Sequence, residues 1–377
     1  MRIGFDGKRA VQNFTGLGNY SRYVADILCH FYPENDYVLY APKKRENKRM
    51  NLLTGQYRQL TLAYPATSFW KKLSSLWRVW GITSQLEKEG IELFHGLSNE
   101  LPLNIHKSRI KSIVTIHDLI FLRYPQYYQS IDRKIYTYKF RKACENADKI
   151  IAISECSKRD IIRYFNIPDD KIEVVYQGCD VSFTHPVTEE KKEEVRKKYQ
   201  LPDHYILNVG SIEERKNILA AVQALPMLPQ HIHIVIVGRR TGYTEKVEQF
   251  IKDNGLGERV HIISNVPFND LPAFYQSAEI FVYPSRFEGF GIPIIEALYS
   301  GIPVVAATGS CLEEAGGPDS IYVNPDDITG LADAFKQIYS NSDKRKNMVE
   351  KGREFAKRFS EKQQSEEIIN IYKKLIR

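Results

Sequence analysis

Two glutamates bracket a short loop whose composition suits the binding of an anion. Residues 288–296 read Glu-Gly-Phe-Gly-Ile-Pro-Ile-Ile-Glu and follow an apolar strand pattern. The glycines leave backbone N–H groups accessible, and Pro293 suits the first turn of a helix, whose amino end attracts anions. Glu288 would precede that end, and Glu296 would lie about one turn inside the helix, where a carboxylate can accept hydrogen bonds from vicinal hydroxyls. The alternative is that Glu288 caps the loop and Glu296 is a solvated helix residue.

A second charged turn could neutralise a diphosphate. Arg215 and Lys216 follow the strand pattern 205–209, and Asn217 is a suitable cap for the helix that comes next. Two adjacent cations can balance the charge of a diphosphate without a metal ion. The alternative is a solvated charged turn that binds nothing.

His117 lies where a parallel strand would present a catalytic group. It directly follows the strand pattern of residues 112–116, and ligands of open α/β sheets bind at the carboxyl ends of the strands. The alternative is a histidine with a structural role. His95 ends the preceding strand pattern, where it could contact a second substrate or cap the strand.

A glycine-containing run opens the first helical pattern. Residues 15–20 read Thr-Gly-Leu-Gly-Asn-Tyr. As a dinucleotide-binding fingerprint the run fails, because the third glycine is missing and nine residues separate it from the end of the first strand pattern. Gly16 and Gly18 would let the backbone approach a phosphate, and the alternative is a flexible loop.

Two series of alternating strand and helix patterns must position these residues. The strand patterns lie at residues 2–5, 37–41, 91–95, 112–117, 149–153 and 172–176, and then at 205–209, 233–237, 260–263, 280–283, 304–306 and 320–323. The helical patterns lie at residues 18–30, 69–89, 129–146, 156–164, 217–225, 243–253, 269–276, 293–300, 328–339, 342–358 and 361–375. Continuous apolar strands between amphipathic helices predict parallel sheets covered on both faces. The expected fold class is α/β, with two doubly wound parallel-sheet domains that face each other across a cleft.

The domain boundary is expected near a charged and polar stretch, residues 187–200. We therefore assign residues 1–185 to a first domain and 186–358 to a second. Residues 359–377 are expected to form a C-terminal helix that packs back on the first domain.

Composition and charge agree with a folded chain of enzyme size. The 377 residues are 43% hydrophobic and 26% charged, which excludes collagen-like, disordered and disulfide-scaffold classes. The five cysteines show no Cys-x-x-Cys pair, so we expect free and mostly buried thiols. Residues 1–180 hold 28 Lys and Arg against 19 Asp and Glu, a net charge of +9, whereas residues 181–377 have a net charge of −2. A basic first half predicts an anionic partner such as a membrane surface or a phosphorylated substrate, and the lack of a basic repeat with interleaved aromatics argues against nucleic acid.

All three tryptophans lie within residues 69–80. Trp70, Leu73, Trp77 and Trp80 recur at helical spacing with basic residues alongside. The stripe predicts core packing of one helix, and the alternative is a helix that lies in a lipid interface.

No stretch of the sequence has 18 uninterrupted apolar residues, and the N-terminus lacks the apolar core of a signal peptide. We therefore expect a cytoplasmic protein, with the inner membrane face as an additional location for the basic first domain.

The motifs together carry a resemblance to a known family. Residues 288–296 resemble the E-x7-E signature of retaining glycosyltransferases of family 4, and residues 210–217 resemble the R-K-N element of that family. Residues 15–20 resemble the T-G-x-G-x-Y loop of a mannosyltransferase-like subgroup. The resemblance implies the GT-B architecture, in which two facing Rossmann-like domains hold a nucleotide sugar mainly through the C-terminal domain.

The resemblance also implies roles for individual residues. His117 and Glu288 would be catalytic, because both would lie beside the donor sugar, and Glu296 would bind the nucleotide ribose. The remaining donor-binding set comprises Gly16, Gly18, Ser211, Arg215, Lys216, Val266, Phe290, Gly291 and Ile292, with Arg215 and Lys216 on the diphosphate and Val266 near the base.

The implied reaction transfers a hexose, mannose or glucose-like, from a GDP-sugar or UDP-sugar to a hydroxyl of a glycan or lipid-linked acceptor in cell-surface polysaccharide synthesis. The anomeric configuration would be retained, with the leaving phosphate accepting the proton of the acceptor hydroxyl. No Asp-x-Asp triplet occurs in the sequence, so we expect no metal and no cofactor besides the donor. The alternatives are a nicotinamide-dependent oxidoreductase and a sugar-nucleotide-binding protein without turnover.

Overall fold

The computed structural model describes residues 1–13 and 16–376, and the chain divides into two compact units. The first unit comprises Met1–Gln177 and the chain from Glu361 onward, and the second comprises Gly178–Ser360. The chain therefore leaves the first unit once and returns to it at the C-terminus.

A parallel sheet forms the centre of the first unit. Its strands are β1 (Arg2–Asp6), β2 (Asp36–Tyr40), β3 (Leu60–Ala63), β4 (Leu93–Gly96), β5 (Lys111–Ile116), β6 (Lys149–Ala152) and β7 (Ile172–Val174). Within the described residues the seven strands lie in the order β3-β2-β1-β4-β5-β6-β7. Six of these strands begin and end within two residues of the bounds predicted from the sequence, which confirms those predictions. The edge strand β3 was missed.

Helices connect these strands. They are α1 (Lys8–Gln12), α2 (Gly16–Phe31), α3 (Lys48–Gln56), α4 (Ser68–Lys72), α5 (Ser74–Leu76), α6 (Ile82–Lys88), α7 (Ile120–Arg123), α8 (Ser130–Asn146) and α9 (Glu155–Phe165), and the C-terminal α18 (Glu361–Ile376) belongs to the same unit. Alternate residues of one strand face opposite ways, so Ile113 packs with α2 and α18 while Val114 packs with α6 and α8. The sheet is thus covered on both faces, as continuous apolar strands require.

The prediction of one helix over residues 69–89 is wrong. The segment is broken into α4, α5, a π-helical turn at Trp77–Gly81 and α6, because Leu73 takes a non-helical conformation (φ −107°, ψ 42°). The break lets Trp70 pack against the bare backbone of Gly81, where a Cβ atom would lie 2.6 Å from the indole ring. Trp77 is fully buried, whereas Trp80 is about half exposed (48%). The tryptophan stripe therefore packs into the core only in part, at Trp77.

The second unit repeats the architecture. Its strands are β8 (Tyr205–Val209), β9 (His233–Val237), β10 (Val260–Ile263), β11 (Ile280–Tyr283), β12 (Val304–Ala307) and β13 (Ile321–Val323), in the order β10-β9-β8-β11-β12-β13. Its helices are α10 (Glu189–Tyr199), α11 (Ile218–Ala224), α12 (Thr244–Asp253), α13 (Leu271–Ser277), α14 (Ile292–Ser300), α15 (Leu312–Gly316), α16 (Ile328–Tyr339) and α17 (Ser342–Ala356). The order of the strands reverses direction between β8 and β11. The carboxyl ends of these two neighbours form a switch point, where doubly wound sheets bind ligands.

Two further features concern the cysteines and the apolar character of the helices. All five cysteines are buried thiols outside any disulfide bond, which confirms the prediction. Among residues 1–13 and 16–376, no helix combines the length and apolar character needed to cross a membrane.

Candidate active site

The charged turn after β8 and the glutamate loop after β11 meet at the switch point of the second unit. Arg215 and Lys216 lie in a 3₁₀ turn that follows β8, and Glu288 lies in the loop between β11 and α14. Gly210 lies against this turn with φ 153°, and a Cβ atom there would lie 3.0 Å from the Lys216 ammonium. The sequence prediction that these three side chains share one sheet edge agrees with this arrangement.

The three side chains form an ion-paired cluster. Arg215 Nη1 lies 2.8 Å from Glu288 Oε2, and Lys216 Nζ lies 3.6 Å from Glu288 Oε1. Burial disfavours the charged forms, but Glu288 raises the pKa of both cations, and Lys216 and Arg215 together lower the pKa of Glu288. All three groups are therefore ionised at neutral pH, and Arg215 also pairs through Nη2 with Glu213 at 3.7 Å.

Two hydroxyl groups that the sequence analysis missed hold Glu288 in place. Tyr283 and Ser285 donate hydrogen bonds to Glu288 Oε1 at 3.2 and 3.1 Å. Lys216 Nζ in turn donates to the Tyr283 hydroxyl at 3.2 Å. Tyr283 is the last residue of β11, and a polar ring at the end of an otherwise apolar strand was the available signal.

Glu296 lies in a different environment from Glu288. Its Oε2 accepts a hydrogen bond from the buried Tyr275 hydroxyl at 2.6 Å. Burial raises the pKa of Glu296 to about 7, and the nearby Asp180 acts in the same direction. A solvated helix residue would show neither the buried partner nor the shift, so that interpretation of Glu296 is wrong. Two carboxylates whose pKa values are moved in opposite directions are typical of functional sites.

The thiol of Cys311 holds the backbone of the loop between Glu288 and α14 in place. Cys311 Sγ donates to the backbone carbonyls of Glu288 and Phe290, at 3.0 and 2.8 Å. The Phe290 side chain is buried, so only its backbone can reach a ligand. Gly291 and Ile292 begin α14, and Gly301 in the left-handed conformation ends it. The first N–H groups of a helix have no intrahelical partner, so this end can receive an anion.

Ser211 follows β8 and Val266 follows β10, so both come after strands of the same sheet. Ser211 Oγ donates to Glu213 at 2.6 Å, and Val266 lies just beyond the end of β10, half-buried. Neither of them forms a hydrogen bond or ion pair with Glu288 within the part of the chain that the structure describes. The expected capping role of Asn217 is wrong: its side chain donates to the Pro325 carbonyl at 2.8 Å instead of accepting from the helix.

His117 lies at the end of β5 in the first unit, buried and fully hydrogen bonded. Its Nε2 donates to the Leu97 carbonyl at 2.9 Å, and Gln177 Nε2 donates to its Nδ1 at 3.3 Å. A carbonyl cannot donate, so Nε2 carries the proton. Burial lowers the pKa of His117 to about 4, although the bond to Leu97 opposes this shift. The ring is therefore neutral at pH 7 and, with both nitrogens engaged, suits contact and positioning more than proton transfer.

The ring of His117 belongs to a buried polar network that reaches the C-terminal helix. Tyr20 packs its ring edge-on to His117 at 4.7 Å and shares a hydrogen bond of 3.3 Å with Thr115. Thr115 Oγ1 also bonds His95 Nε2 at 2.8 Å, and His95 Nδ1 bonds the hydroxyl of Tyr372 in α18 at 2.6 Å. His95 is completely buried and both its nitrogens are used, so the expectation that it contacts a substrate or caps the strand is wrong.

Gly16 and Gly18 open α2, whereas Thr15 lies outside the described residues. A Cβ atom on Gly18 would lie 2.0 Å from the Asn13 carbonyl oxygen. This close approach of two backbone segments requires glycine whether or not a ligand is bound. No structural constraint of that kind is found at Gly16, whose Cβ position is open.

The fold and the cluster define a class of protein. Two Rossmann-like α/β domains, with paired cations and a helix amino end at the switch point of the second, form a GT-B fold equipped to bind a phosphorylated ligand.

Comparison with known proteins identifies the family. Residues 21–183 match the model of Glycosyltransferase Family 4, and residues 187–355 match that of Glycosyl transferases group 1. The chain is 31% identical over 289 residues to O-antigen chain mannosyltransferase B of Escherichia coli, an alignment that covers 75% of this chain and 74% of that protein. The chain therefore belongs to family 4 of the glycosyltransferases, in its mannosyltransferase-like subgroup.

More distant similarities agree with this assignment. The chain is 29% identical to O-antigen chain mannosyltransferase RfbU of Salmonella typhimurium over 60% of each protein. A crystal structure of Anabaena HepE in complex with UDP and glucose superposes with a TM-score of 0.77 at 17% identity, over the full length of both chains. That likeness supports the fold. A nicotinamide-dependent oxidoreductase is not favoured by any of these matches.

Proposed function

We propose that this glycosyltransferase transfers a hexosyl unit from a nucleoside diphosphate sugar to a hydroxyl of a glycan or lipid-linked acceptor, with retention of configuration and without a metal ion. The observation that carries the proposal is the Arg215–Glu288–Lys216 cluster at the switch point of the second unit. Its paired cations and its place beside the amino end of α14 suit the charge of a diphosphate leaving group.

The donor is proposed to be GDP-mannose, with UDP-glucose as the second candidate. The printed names of the related Escherichia coli and Salmonella proteins are those of O-antigen mannosyltransferases, which favours mannose and an acceptor in polysaccharide synthesis. The HepE structure that superposes on this chain holds UDP and glucose, which is why UDP-glucose is the second candidate donor.

The residues of this chain would act mainly by fixed charge. Arg215 and Lys216 remain cationic and would stabilise the departing diphosphate, with help from the N–H groups at Ile292. Glu288 holds both cations and would accept a hydrogen bond from the transferred sugar. In same-face transfer the bond from the anomeric carbon to the leaving oxygen breaks as the bond to the acceptor oxygen forms, and the acceptor proton passes to the leaving phosphate.

Other residues would orient the donor. Glu296 is proposed to bind the ribose hydroxyls, and Ser211, Val266, Phe290 and Gly291 to contact the remainder of the donor. His117 is neutral and held by Leu97 and Gln177, so we assign it contact with the sugar and no proton transfer. Gly16 and Gly18 are proposed to bring backbone close to the donor phosphate.

A donor screen tests the proposal. Purified protein is incubated with a panel of GDP- and UDP-sugars, and release of the nucleoside diphosphate is measured with and without EDTA. The expected result is release from one donor, undiminished by EDTA, with product configuration by NMR equal to that of the donor. Loss of activity with EDTA would remove the metal-free mechanism, and binding of a donor without release would favour a binding protein.

A further inference from the structure

One carboxylate of the candidate active site has no role in the proposed reaction. Glu213 directly precedes the 3₁₀ turn of Arg215 and Lys216, and its side chain forms no capping bond with that turn. Its Oε2 lies 3.7 Å from Arg215 Nη2, and its Oε1 lies 3.7 Å from Arg239 Nη2. Ser211 Oγ donates to the same Oε1 at 2.6 Å. Two guanidinium groups and a hydroxyl therefore converge on one carboxylate, and such groups also bind phosphate oxygens.

Backbone contacts hold Arg239 beside Glu213. Arg239 follows β9, and its carbonyl accepts a hydrogen bond from the Ile212 N–H at 3.0 Å. A Cβ atom on the preceding Gly238 would lie 1.7 Å from the Gly210 carbonyl oxygen, so the turns after β8 and β9 approach this closely because residue 238 is glycine. The Arg239 side chain is 77% exposed, so its guanidinium group is accessible to a ligand from solvent.

Glu213 is held less firmly than Glu288, the other carboxylate that pairs with Arg215. Glu288 is 13% exposed, lies 2.8 Å from Arg215 and accepts from two hydroxyl groups. Glu213 is 36% exposed, and both of its ion pairs are longer than a hydrogen bond. Glu288 also raises the pKa of Arg215 more strongly than Glu213 does. Because loose, solvent-exposed ion pairs contribute little free energy, Glu213 is the carboxylate that an anionic ligand can displace.

We propose that Glu213 occupies a phosphate subsite between Arg215 and Arg239, and that a phosphate group of the donor takes its place. The displaced Glu213 side chain turns to solvent and frees Ser211 Oγ to donate to a phosphate oxygen. Arg239 then becomes a third cation of the donor site, beside Arg215 and Lys216. Displacement in this form rests on the proposed function, because the displacing group is the diphosphate of the nucleotide sugar. The negative charge of Glu213 competes with the phosphate for the same cations, so it weakens donor binding.

Removal of the Glu213 charge tests the displacement. Binding of GDP, UDP and inorganic pyrophosphate to the full-length protein is measured by calorimetry. Glu213→Gln keeps an oxygen that can accept from Ser211 but lacks the charge, so it should lower the Kd of these ligands about threefold or more. Glu214→Gln is the matched control, because Glu214 is the neighbouring exposed glutamate. It removes an equal charge that solvent screens, so its Kd should stay close to the wild-type value.

A second pair of variants tests Arg239. Arg239→Gln should raise the Kd of the same ligands about threefold or more, because one cation of the subsite is lost. Arg240→Gln should leave the Kd close to the wild-type value, because Arg240 is the adjacent exposed arginine and pairs with Glu248. Circular dichroism and thermal melting establish that each variant is folded, as exposed positions allow.

A crystal structure with bound GDP or UDP gives a direct view of the subsite. It should show phosphate oxygens between Arg215 and Arg239, with the Glu213 carboxylate turned away from both. A Glu213 carboxylate that stays between the two arginines beside a bound nucleotide would overturn the displacement.

The binding data separate the displacement from the proposed function. Wild-type protein that binds none of the three ligands would overturn both. If the wild type binds them and Glu213→Gln binds no more tightly than Glu214→Gln, the displacement is overturned and the donor site remains. Weaker binding by Glu213→Gln would also overturn it, and would assign Glu213 to the support of Arg215.

Discussion

At the scale of single residues, the charge of each cation in the cluster depends on Glu288, and the charge of Glu288 depends on both cations. Glu288 keeps Arg215 and Lys216 ionised in a half-buried position, and the two cations keep Glu288 ionised. Breaking a buried pair leaves an uncompensated charge, so a change at one member alters the field at the others.

Glu288→Gln and Lys216→Ala should each lower kcat at least about tenfold, equivalent to about 1.4 kcal/mol of barrier, with the fold intact. The first removes the carboxylate that orients the cations, and the second removes a charge from the site of the leaving group. Steady-state kinetics with the donor found in the screen measure both. Lys336→Ala is the control, because Lys336 is an exposed lysine of the same unit that pairs with Asp333 at the surface. Wild-type kcat in both purified site variants would contradict the assignment.

Glu296 predicts a dependence of donor affinity on pH. Because burial raises its pKa to about 7, the carboxylate is present above this value and is lost as pH falls through it. The ionised fraction falls from about nine-tenths at pH 8 to about one-tenth at pH 6. If the carboxylate accepts from ribose hydroxyls, the donor KM should rise several-fold over this interval.

The matched pair for that experiment is Glu296→Gln and Glu288→Gln. The first should have a raised KM with little pH dependence between pH 6 and 8, and the second should keep the slope. A flat wild-type profile, or an unchanged slope in Glu296→Gln, would contradict the role of Glu296.

The charged residues of the site were easier to predict from the sequence than the residues that hold them in place. Arg215, Lys216 and Glu288 follow strands, and parallel strands deliver their carboxyl ends to one edge, so their proximity was predictable. Tyr275 and Cys311 lie on other elements, and no local pattern shows that they contact Glu296 and the loop carbonyls. Such contacts are set by tertiary packing.

At the scale of elements, β4 and β5 carry two buried neutral histidines, His95 and His117. Burial lowers the pKa of His95 to about 3, with a further contribution from His117, and burial lowers the pKa of His117 to about 4. In the unfolded chain both return to about 6.5, so the unfolded state binds more protons below that pH.

The first unit should therefore lose stability as pH falls from about 6.5 to 4, by up to about 1.4 kcal/mol per pH unit for each histidine. Urea unfolding at several pH values, followed by hydrogen exchange in residues of the first unit, measures the slope. His95→Gln should reduce the slope. His30→Gln should leave it unchanged, because His30 is exposed. An equal slope in wild type and His95→Gln would contradict the prediction.

Strands and helices were predictable where the segment was long and its apolar pattern was regular. The strands β8, β9, β10 and β11 match the predicted bounds, because continuous Val and Ile runs have few alternatives. The edge strand β3 has only four residues with partly exposed side chains, so it lacks that signal. The broken helix between residues 68 and 88 could not be foreseen, because the spacing of its tryptophans is helical and the break at Leu73 depends on the packing of Trp70 against Gly81.

At the scale of the whole molecule, α18 completes the core of the first unit. Ile368, Ile369, Ile371 and Tyr372 are buried there beside the residues of α2. Burial of each such side chain contributes about 1.5 to 3 kcal/mol, and the sum approaches the about 5 to 15 kcal/mol that stabilises a typical domain.

Deletion of residues 361–377 should unfold the first unit and spare the second. Hydrogen exchange with mass spectrometry should show loss of protection in β1, β4 and β5, with protection retained in β8 and β11. Tyr372→Phe removes only the bond to His95 and should cost about 1 kcal/mol, and Lys374→Ala should be neutral because Lys374 is exposed. Retained protection of β1 after the deletion would contradict this role of α18.

The return of the chain to its first unit also sets an order of assembly during synthesis. All strands of the first sheet are translated before the second unit, yet the helix that closes their core is translated after it. Translating the 183 residues of Gly178–Ser360 takes roughly 10 to 40 seconds. During that time the first unit lacks the helix that covers part of its apolar core. Chaperones are therefore expected to bind the first unit of the nascent chain.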